Sequence, residues 1–447
     1  MMNAPRKGRM VAVSAAFLTA MTLLAGCSGG GGATAGAPNN DRPADEIHVK
    51  VFGDAAARVE KAAADRFNQT SSVKVVVDNG PAAGNDYINQ VRSQIGTKDS
   101  PDIFMSWGAA NIQPYIKAGA LMDLNDAIAK DPKLKSSFLP SVFGEEVVDG
   151  KTYGIPMRGV GPVVLYYNKA VLQKAGLQPP KSFDDLMSQV ATLKAAGVTP
   201  IALGGADKWP DLMWFEYLYS RLAGNDQVAK GLAGDKTVWE SQQSKDALSS
   251  LTKLIDGGAF GTTYESVKYG SDGSPKLLST GKAAFELMGN WNYSTIAGDD
   301  PAFAEKDLGW IPFPSMNGNG QAGELAGNLS NYYNVAADTR YPDTVAKFLA
   351  TLYSDEFVKD QLSIGNLPPT TNAGDLLKQV PTLTASGKDF LNFQLGIMHD
   401  APSFQLSWDQ AIAAESKETL NNGIAAYFGK TMNQDQFISL MQSLKHD

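Results

Sequence analysis

The alternation of apolar and polar residues predicts an α/β protein in which strands and helices follow one another. Residues 47–52 alternate as a half-buried strand does, and residues 54–68 place Val59, Ala63 and Phe67 at helical spacing. Residues 73–77 predict a second strand, 87–95 a helix, and 102–106 a short buried strand. This order of elements indicates a lobe with a mainly parallel sheet flanked by helices.

The pattern continues with three interruptions. It predicts strands at 163–167, 200–203 and 332–335, and helices at 183–196, 212–222, about 344–362, 405–421 and 434–444. Irregular segments rich in Gly, Pro or Asn lie at 153–161, 312–328 and 366–371. We interpret them as three crossings between two lobes. The first lobe is predicted to comprise 46–155 and 326–365, and the second 156–325 and 366–447.

The N-terminal segment has the pattern of an export signal. Arg6, Lys7 and Arg9 precede an apolar run from 10 to 24, which is short for a membrane-spanning helix of about 20 residues. Leu24-Ala25-Gly26-Cys27 resembles the bacterial lipoprotein box, in which the cysteine is lipid-modified and becomes the first residue. The alternative is an ordinary secretory peptide with an incidental cysteine.

This segment predicts where the protein is located. Residues 1–26 would be the signal peptide, and 27–45, rich in Gly, Ala, Ser and Pro, a flexible tether. Lipid such as palmitate on Cys27 would hold the protein at the outer face of the bacterial cytoplasmic membrane. No later segment has the apolar character of a membrane span, so any membrane attachment depends on that lipid.

Composition and charge narrow the possible partners. Cys27 is the single cysteine, so no internal disulfide forms and stability must come from a large core. Without the three basic residues of the signal, the 39 Lys and Arg fall to 36 against 47 Asp and Glu, a formal charge of −11. Nucleic acid and anionic lipid headgroups are therefore not expected partners, and we expect a monomer.

Catalytic and cofactor motifs give no support for an enzyme. His-Glu-x-x-His, Cys-x-x-Cys and a phosphate loop are absent from the sequence, and no Gly-x-Ser-x-Gly forms a strand-to-helix elbow, because the match at 26–30 spans the predicted lipidation site. His48, His399 and His446 are far apart and lack metal-ligand spacing. The Gly318-x-Gly320-x-x-Gly323 match follows prolines instead of a strand, so it predicts a loop. We expect no cofactor and no metal.

Aromatic residues beside small polar residues, at predicted ends of strands and helices, indicate a carbohydrate ligand. A sugar ring presents apolar C–H faces and a rim of hydroxyls, which suit flat aromatic rings beside amide, carboxylate and guanidinium groups. Trp239 and Trp310 are assigned to the core, and Asn111, Asp211 and Glu324 could add to the polar rim. The predicted ligand-binding residues are Asp54, Ser106, Trp107, Arg158, Trp209, Asn290, Trp291, Asn328 and Trp408.

Short motifs along most of the chain after residue 46 resemble those of the extracellular solute-binding proteins of sugar ABC importers, the family that includes maltose-binding protein. The most specific pair is Tyr-Gly-Ile-Pro at 153–156 followed by Leu-Tyr-Tyr-Asn-Lys at 165–169. The other motifs are Pro-Asp-Ile-Phe at 101–104, Pro-Lys-Ser-Phe-Asp-Asp-Leu at 180–186, Gly-Lys-Ala-Ala-Phe at 281–285, Met-Gly-Asn-Trp at 288–291, Lys-Phe-Leu at 347–349 and Pro-Pro at 368–369.

The resemblance implies a two-lobed periplasmic-binding-protein-like fold and no enzymatic activity. In such proteins the tryptophan matching Trp291 stacks on the sugar, and regions matching 209–215 and 403–409 add further stacking. The implied function is capture of a short oligosaccharide and its delivery to the permease subunits of an ABC importer, and the expected ligand is a xylo-oligosaccharide such as xylobiose.

Other functions remain open at this point. Chito- or gluco-oligosaccharides, a peptide, a polyamine or a ferric ion are alternative ligands. A secreted glycosidase would need two carboxyl groups flanking the scissile bond, and the sequence spacing indicates no such pair. A structural surface protein is disfavoured because the chain has no internal repeat.

Overall fold

The computed structural model describes residues 44–54, 56–82, 84–320 and 323–445. The predicted signal peptide, the predicted lipidation site Cys27 and the predicted tether up to residue 43 lie outside these residues. None of the helices in the described ranges combines the length and apolar character that a bilayer crossing requires.

Strands occur along most of the described chain, mostly where alternating or buried apolar runs predict them. Their bounds are β1 Glu46–Val51, β2 Lys74–Asn79, β3 Ile103–Ser106, β4 Val147–Val148, β5 Lys151–Thr152, β6 Gly154–Arg158, β7 Gly161–Asn168, β8 Thr199–Ala202, β9 Ala283–Gly289, β10 Leu308–Ile311, β11 Leu325–Asn328, β12 Asn331–Val335 and β13 Phe404–Leu406.

Helices fill most of the remaining chain. Their bounds are α1 Ala57–Phe67, α2 Gly84–Gln94, α3 Gln113–Lys117, α4 Asn125–Lys130, α5 Lys133–Ser136, α6 Lys169–Lys174, α7 Phe183–Ala195, α8 Trp209–Ala223, α9 Asn225–Leu232, α10 Gln242–Asp256, α11 Ser274–Ser279, α12 Trp291–Asp299, α13 Pro301–Lys306, α14 Pro342–Leu349, α15 Asp355–Ser363, α16 Ala373–Leu377, α17 Ala385–Asp400, α18 Trp408–Ala411, α19 Ala414–Phe428 and α20 Gln434–Ser443.

Local sequence explains where several helices begin. Ser182 caps α7 by accepting a hydrogen bond from Asp185 N, and the Asp185 carboxylate accepts a hydrogen bond from the Ser182 backbone N–H. The helix predicted over 405–421 is wrong in its first part, because residues 404–406 pair as β13 with β11. A run of three residues, Phe404 to Leu406, is too short for its pattern to distinguish a strand from the start of a helix.

Two mixed sheets form the centre of the fold. The first has the order β2-β1-β3-β12-β6, with β1 parallel to β2 and β3, and β12 antiparallel to β3 and β6. The second has the order β13-β11-β7-β9-β8, and β10 pairs antiparallel with β7. Among the described strands, all but β12 in the first sheet and all but β7 in the second run in one direction, so the prediction of mainly parallel sheets is confirmed. Alternation along one strand reports its buried face and contains no information on its neighbour's direction, so the two reversed strands could not be predicted.

The chain changes sheet in short connections. It leaves the first sheet after β6 and enters the second at β7, and it returns between β11 and β12. The predicted lobe boundary at 155/156 falls inside β6. The predicted boundary at 325/326 falls at the start of β11. The exact limits of the lobes stay a prediction.

The connecting segments pack backbone against backbone. A Cβ on Gly159 would lie 1.6 Å from the Leu367 carbonyl oxygen, and one on Gly327, which has a φ of +149°, would lie 2.1 Å from the Gly161 carbonyl oxygen. Glycine is therefore required at both positions, since any side chain would displace a neighbouring strand or loop.

Each sheet is buried by its own apolar core. Helices α1, α2 and α14 cover the first sheet, and α7, α8 and α10 are among those that cover the second. Helix α8 is buried on nearly all sides, which explains its continuous run of large apolar and aromatic residues. A small third cluster joins α15, α16 and α17.

Candidate functional site

An open cavity of about 1150 Å³, counting the solvent at its mouth, is lined by residues that follow strands of both sheets. Its lining includes segments after β1 and β3, the connections around β6, β7, β11 and β12, and the starts of α8, α12 and α18. In α/β proteins, loops at the ends of strands are the usual location of a ligand site.

One wall of the cavity is aromatic and belongs to the second sheet. The Trp209 and Trp291 rings are 6.4 Å apart between centroids, and Trp209 packs edge-on against Tyr269 at 5.4 Å. Trp291 lies directly over the backbone of Gly289, where a Cβ would come within 2.1 Å of its ring. The glycine therefore fixes the ring against the strand end while one side of the ring faces the cavity.

A second aromatic group belongs to the first sheet. Trp107 packs edge-on against Phe52 at 5.6 Å and Tyr87 at 5.8 Å. The Tyr87 hydroxyl lies 3.1 Å from Lys50 O and 3.0 Å from Met105 O, so it is positioned between the backbones of β1 and β3. Trp107 is thereby held at the edge of the cavity in a defined orientation.

The guanidinium of Arg158 is held by carboxylates. Its Nε and Nη2 donate to Glu60 Oε1 at 2.6 Å and Oε2 at 2.9 Å, and Nη1 donates to Asp54 Oδ2 at 2.8 Å. Burial raises the pKa of Glu60 to about 7, although the Arg158 charge lowers it. Arg158 therefore orients Asp54 at the cavity and has little capacity left for a negatively charged ligand.

A lysine and an aspartate lie at another part of the cavity. Lys417 Nζ is 3.4 Å from Asp409 Oδ2 and donates to Asn111 Oδ1 at 3.3 Å. Asn111 follows β3 of the first sheet, whereas Asp409 and Lys417 follow β13 of the second. This contact therefore joins segments from both sides of the cavity.

The structure places the predicted site residues in three kinds of position. Those that line the cavity are Asp54, Trp107, Arg158, Trp209, Asn290, Trp291 and Asn328. Ser106 is buried beside it and contacts the Gly108 backbone N–H through its hydroxyl. Trp408 does not face the cavity: it is 1 % exposed and packs against Phe215, Tyr219 and Trp239, because its side chain points into the core while its neighbours Ser407 and Asp409 point out.

The remaining tryptophans and two of the additional rim candidates lie outside the cavity lining. Trp214 and Trp239 are buried, and Trp310 packs edge-on against Phe390 at 4.9 Å, so none of the three lines the cavity. Among the additional rim candidates, Asp211 is buried, and burial raises its pKa well above its usual value. Glu324 accepts a hydrogen bond from Asn225 N outside the cavity.

Sequence reasoning missed several residues of the cavity. Tyr269, Asp207, Lys417 and Gln410 contribute to its lining. The Asp207 carboxylate accepts a hydrogen bond from Tyr269 N at 2.7 Å, which ties two irregular segments together. The available signal for these two residues was a glycine within two positions, Gly205 before Asp207 and Gly270 after Tyr269. Lys417 lies within a helix, and nothing in its local sequence distinguishes it from a surface lysine.

A buried acid lies directly behind the cavity. Glu216 Oε1 accepts from Trp408 N at 2.7 Å and contacts Ser407 Oγ at 3.1 Å, and the same Oγ is 3.1 Å from Asp409 Oδ1. Burial raises the pKa of Glu216 to about 8. The single Ser407 hydroxyl proton can be donated to only one of the two carboxylates at a time. A proton on Glu216 therefore removes the repulsion between the Ser407 oxygen and the carboxylate that the hydroxyl does not serve.

This geometry predicts that stability falls as pH rises. The pKa of Glu216 is about 8 in the folded protein, and its ordinary value is 4.5. Between pH 4.5 and about pH 8 the folded state therefore binds one proton more than the unfolded state. The free energy of unfolding should then decline by up to about 1.4 kcal/mol per pH unit through that window. Glu216→Gln, which keeps the neutral form's hydrogen bonds, should flatten the decline in urea unfolding series at pH 5 to 8.

Exposed Glu418 provides the matched control for this prediction. Glu418→Gln should leave the pH dependence of unfolding as it is in the parent. Equal slopes for the parent and Glu216→Gln would show that Glu216 does not hold a proton in the folded state.

The two sheets, the short connections between them and the cavity at their strand ends define a two-lobed solute-binding protein. The chain belongs to the family of bacterial extracellular solute-binding proteins, whose model matches residues 53–359. The family resemblance and the fold class expected from the sequence are thus confirmed.

Individual relatives extend this match over most of the chain. An uncharacterized ABC transporter extracellular-binding protein of Pyrococcus horikoshii is 26 % identical over 371 residues, 80 % of this chain and 79 % of its own. A solved structure from work on xylan utilization by the thermophilic bacterium Caldanaerobius polysaccharolyticus has a TM-score of 0.78 at 24 % identity, covering 89 % of this chain and 99 % of that one. A chitin oligosaccharide binding protein has a TM-score of 0.76 at 25 % identity, covering 89 % and 97 %.

Proposed function

We propose that this protein is the substrate-binding component of an ABC importer, which captures a short uncharged oligosaccharide and delivers it to the membrane permease. The observation that carries the proposal is the placement of three half-buried tryptophans, Trp107, Trp209 and Trp291, around one open cavity. Flat rings on two sides suit the two apolar faces of sugar rings.

The charges of the cavity support an uncharged ligand. Among the described residues that line it, the cationic side chains are Arg158 and Lys417, and each has a carboxylate partner. A phosphate or carboxylate group would need a cation to replace its hydration. Sugar hydroxyls can instead donate hydrogen bonds to the carboxylate oxygens of Asp54 and Asp207, and they can accept from the side-chain N–H groups of Asn328.

Two ligand classes are the leading candidates. A xylo-oligosaccharide such as xylobiose fits a narrow stacked site without a charge requirement. A chito-oligosaccharide is the second candidate, favoured by the similarity to the chitin oligosaccharide binding protein. In both cases the sugar would bind to one lobe first, and contacts from the second lobe would stabilise the closed form that the permease recognises.

A thermal-shift screen of the purified protein tests the proposal directly. The panel contains xylobiose, chitobiose, maltose and cellobiose, with glucose 6-phosphate and glycerol 3-phosphate as anionic ligands. A ligand at 100 Kd should stabilise the native state by about 2.7 kcal/mol. Stabilisation by the phosphates alone would contradict an uncharged ligand, and release of monosaccharide from a bound sugar would indicate a glycosidase.

Ligand binding is also expected to bring the lobes together. The radius of gyration in small-angle scattering should decrease when the stabilising sugar is added at saturation, as in other hinge closures around ligands. A sugar from the panel that causes no thermal shift serves as the control. Identical scattering profiles with and without a bound ligand would contradict closure.

Lipid anchoring at Cys27 is a separate part of the proposal. Cys27→Ala should release the protein into the medium or leave its signal segment uncleaved, because the acyl chain attachment site is lost. Cell fractionation and mass spectrometry of the N-terminus measure this outcome, and Ser28→Ala is the neighbouring control. A Cys27→Ala protein that is processed yet fully membrane-bound would contradict the anchor.

A further inference from the structure

A buried glutamine outside the cavity connects the aromatic wall to the segments that join the sheets. Gln394 lies on α17, is 0 % exposed, and does not line the cavity. Its Oε1 accepts a hydrogen bond from Asn290 Nδ2, and its Nε2 donates to Gly365 O at 3.1 Å. Asn290 directly precedes Trp291, and Gly365 lies between α15 and α16.

The other bonds of Asn290 attach it to the first connection between the sheets. Its Nδ2 donates to Val160 O at 2.8 Å as well as to Gln394, and its backbone N donates to Pro162 O at 3.0 Å. Both N–H groups of the Asn290 amide are therefore used. Gln394 extends this attachment from residues 160–162 to residue 365, which is about 200 positions further along the chain.

Three connecting segments contact each other directly: 158–161 at the junction of β6 and β7, 328–331 at the junction of β11 and β12, and 364–367 after α15. Gly159 lies against the Leu367 carbonyl, and the Ser330 hydroxyl donates to Arg158 O at 2.5 Å. Hinge closures concentrate the backbone rotation in a few residues of such connections. Side-chain hydrogen bonds that link the connecting segments to the aromatic wall therefore influence both the resting angle between the lobes and the response to a ligand.

We propose that Gln394 is a positioning residue that couples occupation of the Trp291 wall to closure of the lobes. It acts through Asn290, whose backbone adjoins Trp291 and whose amide spans Val160 and Gln394. The inference rests on the proposed function, since closure around a ligand is part of that function. Loss of the Gln394 bonds would leave the aromatic wall intact and loosen its connection to residues 364–367.

Hydrogen exchange of the full-length protein tests this coupling without requiring a ligand. Gln394→Met keeps the side-chain length and removes both hydrogen bonds. We expect exchange to accelerate at residues 158–161 and 364–367, by about tenfold if the coupling is in the usual range, while β1 and β7 keep the parental rates. Gln189→Met is the matched control. The Gln189 amide, on α7 beside the second sheet, also donates to a backbone carbonyl, Gln178 O at 3.0 Å, which lies outside the connecting segments.

Affinity provides the second measurement, with whichever sugar of the screen stabilises the parent. Gln394→Met should weaken binding about tenfold through faster dissociation, and Gln189→Met should not. Gln394→Leu also removes both hydrogen bonds and introduces no charge at this fully buried position, so it should weaken binding to a similar extent. If Gln394→Met does not fold, Gln394→Leu decides the question.

The two proposals fail in different ways. Parental exchange at both connecting segments in Gln394→Met, or an equal acceleration in β1 and β7, would overturn the role of Gln394 and leave the proposed function intact. Absence of binding by the parent to all sugars of the screen would overturn the proposed function, and the inference resting on it would fall as well.

Discussion

Replacement of Trp291 by alanine is expected to weaken sugar binding by about 30-fold or more, with only a modest loss of stability. The ring faces the cavity on one side and lies over the Gly289 backbone on the other. Its removal deletes the flat surface on which a sugar would stack, a loss comparable to hot-spot truncations of about 2 kcal/mol. Calorimetric titration with the sugar that stabilises the parent measures the change.

Trp310 provides a matched control for this effect. It is a half-buried tryptophan of the same lobe, and it packs against Tyr293 and Phe390 instead of lining the cavity. Trp310→Ala should reduce stability while the affinity stays near the parental value. If Trp291→Ala binds sugar like the parent, or if its main effect is unfolding, then Trp291 belongs to the core and the site proposed around it is wrong.

Trp408→Ala should have the largest effect on folding, a loss of about 3–5 kcal/mol in the free energy of unfolding. The indole is 1 % exposed and contacts Phe215 and Trp239, each at a centroid distance of 5.3 Å. Truncation would leave a cavity among large rings that cannot close around it, because these rings belong to separate helices and turns. Urea unfolding with fluorescence detection gives the value.

Trp408→Phe separates loss of volume from loss of the aromatic contact. It should retain a substantial part of the stability, and below the unfolding transition its affinity for sugar should change less than that of Trp291→Ala. A Trp408→Ala protein with parental stability and strongly reduced affinity would mean that this tryptophan contacts the ligand, as the sequence predicted.

The comparison of Trp291 with Trp408 shows how far local sequence could predict the site. Both follow a strand and begin a helix, and both have small polar neighbours. Trp291 lies over a glycine at the cavity, whereas Trp408 points into the core of the second sheet. The neighbouring residues in sequence are similar, so the direction of the side chain depends on the elements packed around it.

Arg158 gives a second example of the same limit. It belongs to the irregular segment predicted at 153–161 and is one of the predicted ligand-binding residues, and the structure places it at the cavity. Its partners Glu60 and Asp54 are 98 and 104 positions away, so the ion pairs that satisfy its charge do not follow from any local pattern. These pairs change the expected role of Arg158 from a free donor for the ligand to a support for Asp54.

By itself the sequence determined the α/β class, most of the individual strands and helices, and the family, because these depend on apolar periodicity, capping residues and short motifs that are local in the chain. The tertiary structure alone decided which strand of each sheet is reversed, the inward position of Trp408 and the bonds of Gln394 to Asn290 and Gly365. Those features arise from contacts between segments far apart in sequence, whose geometry is set by the packing of the whole domain and not by the neighbours of any one residue.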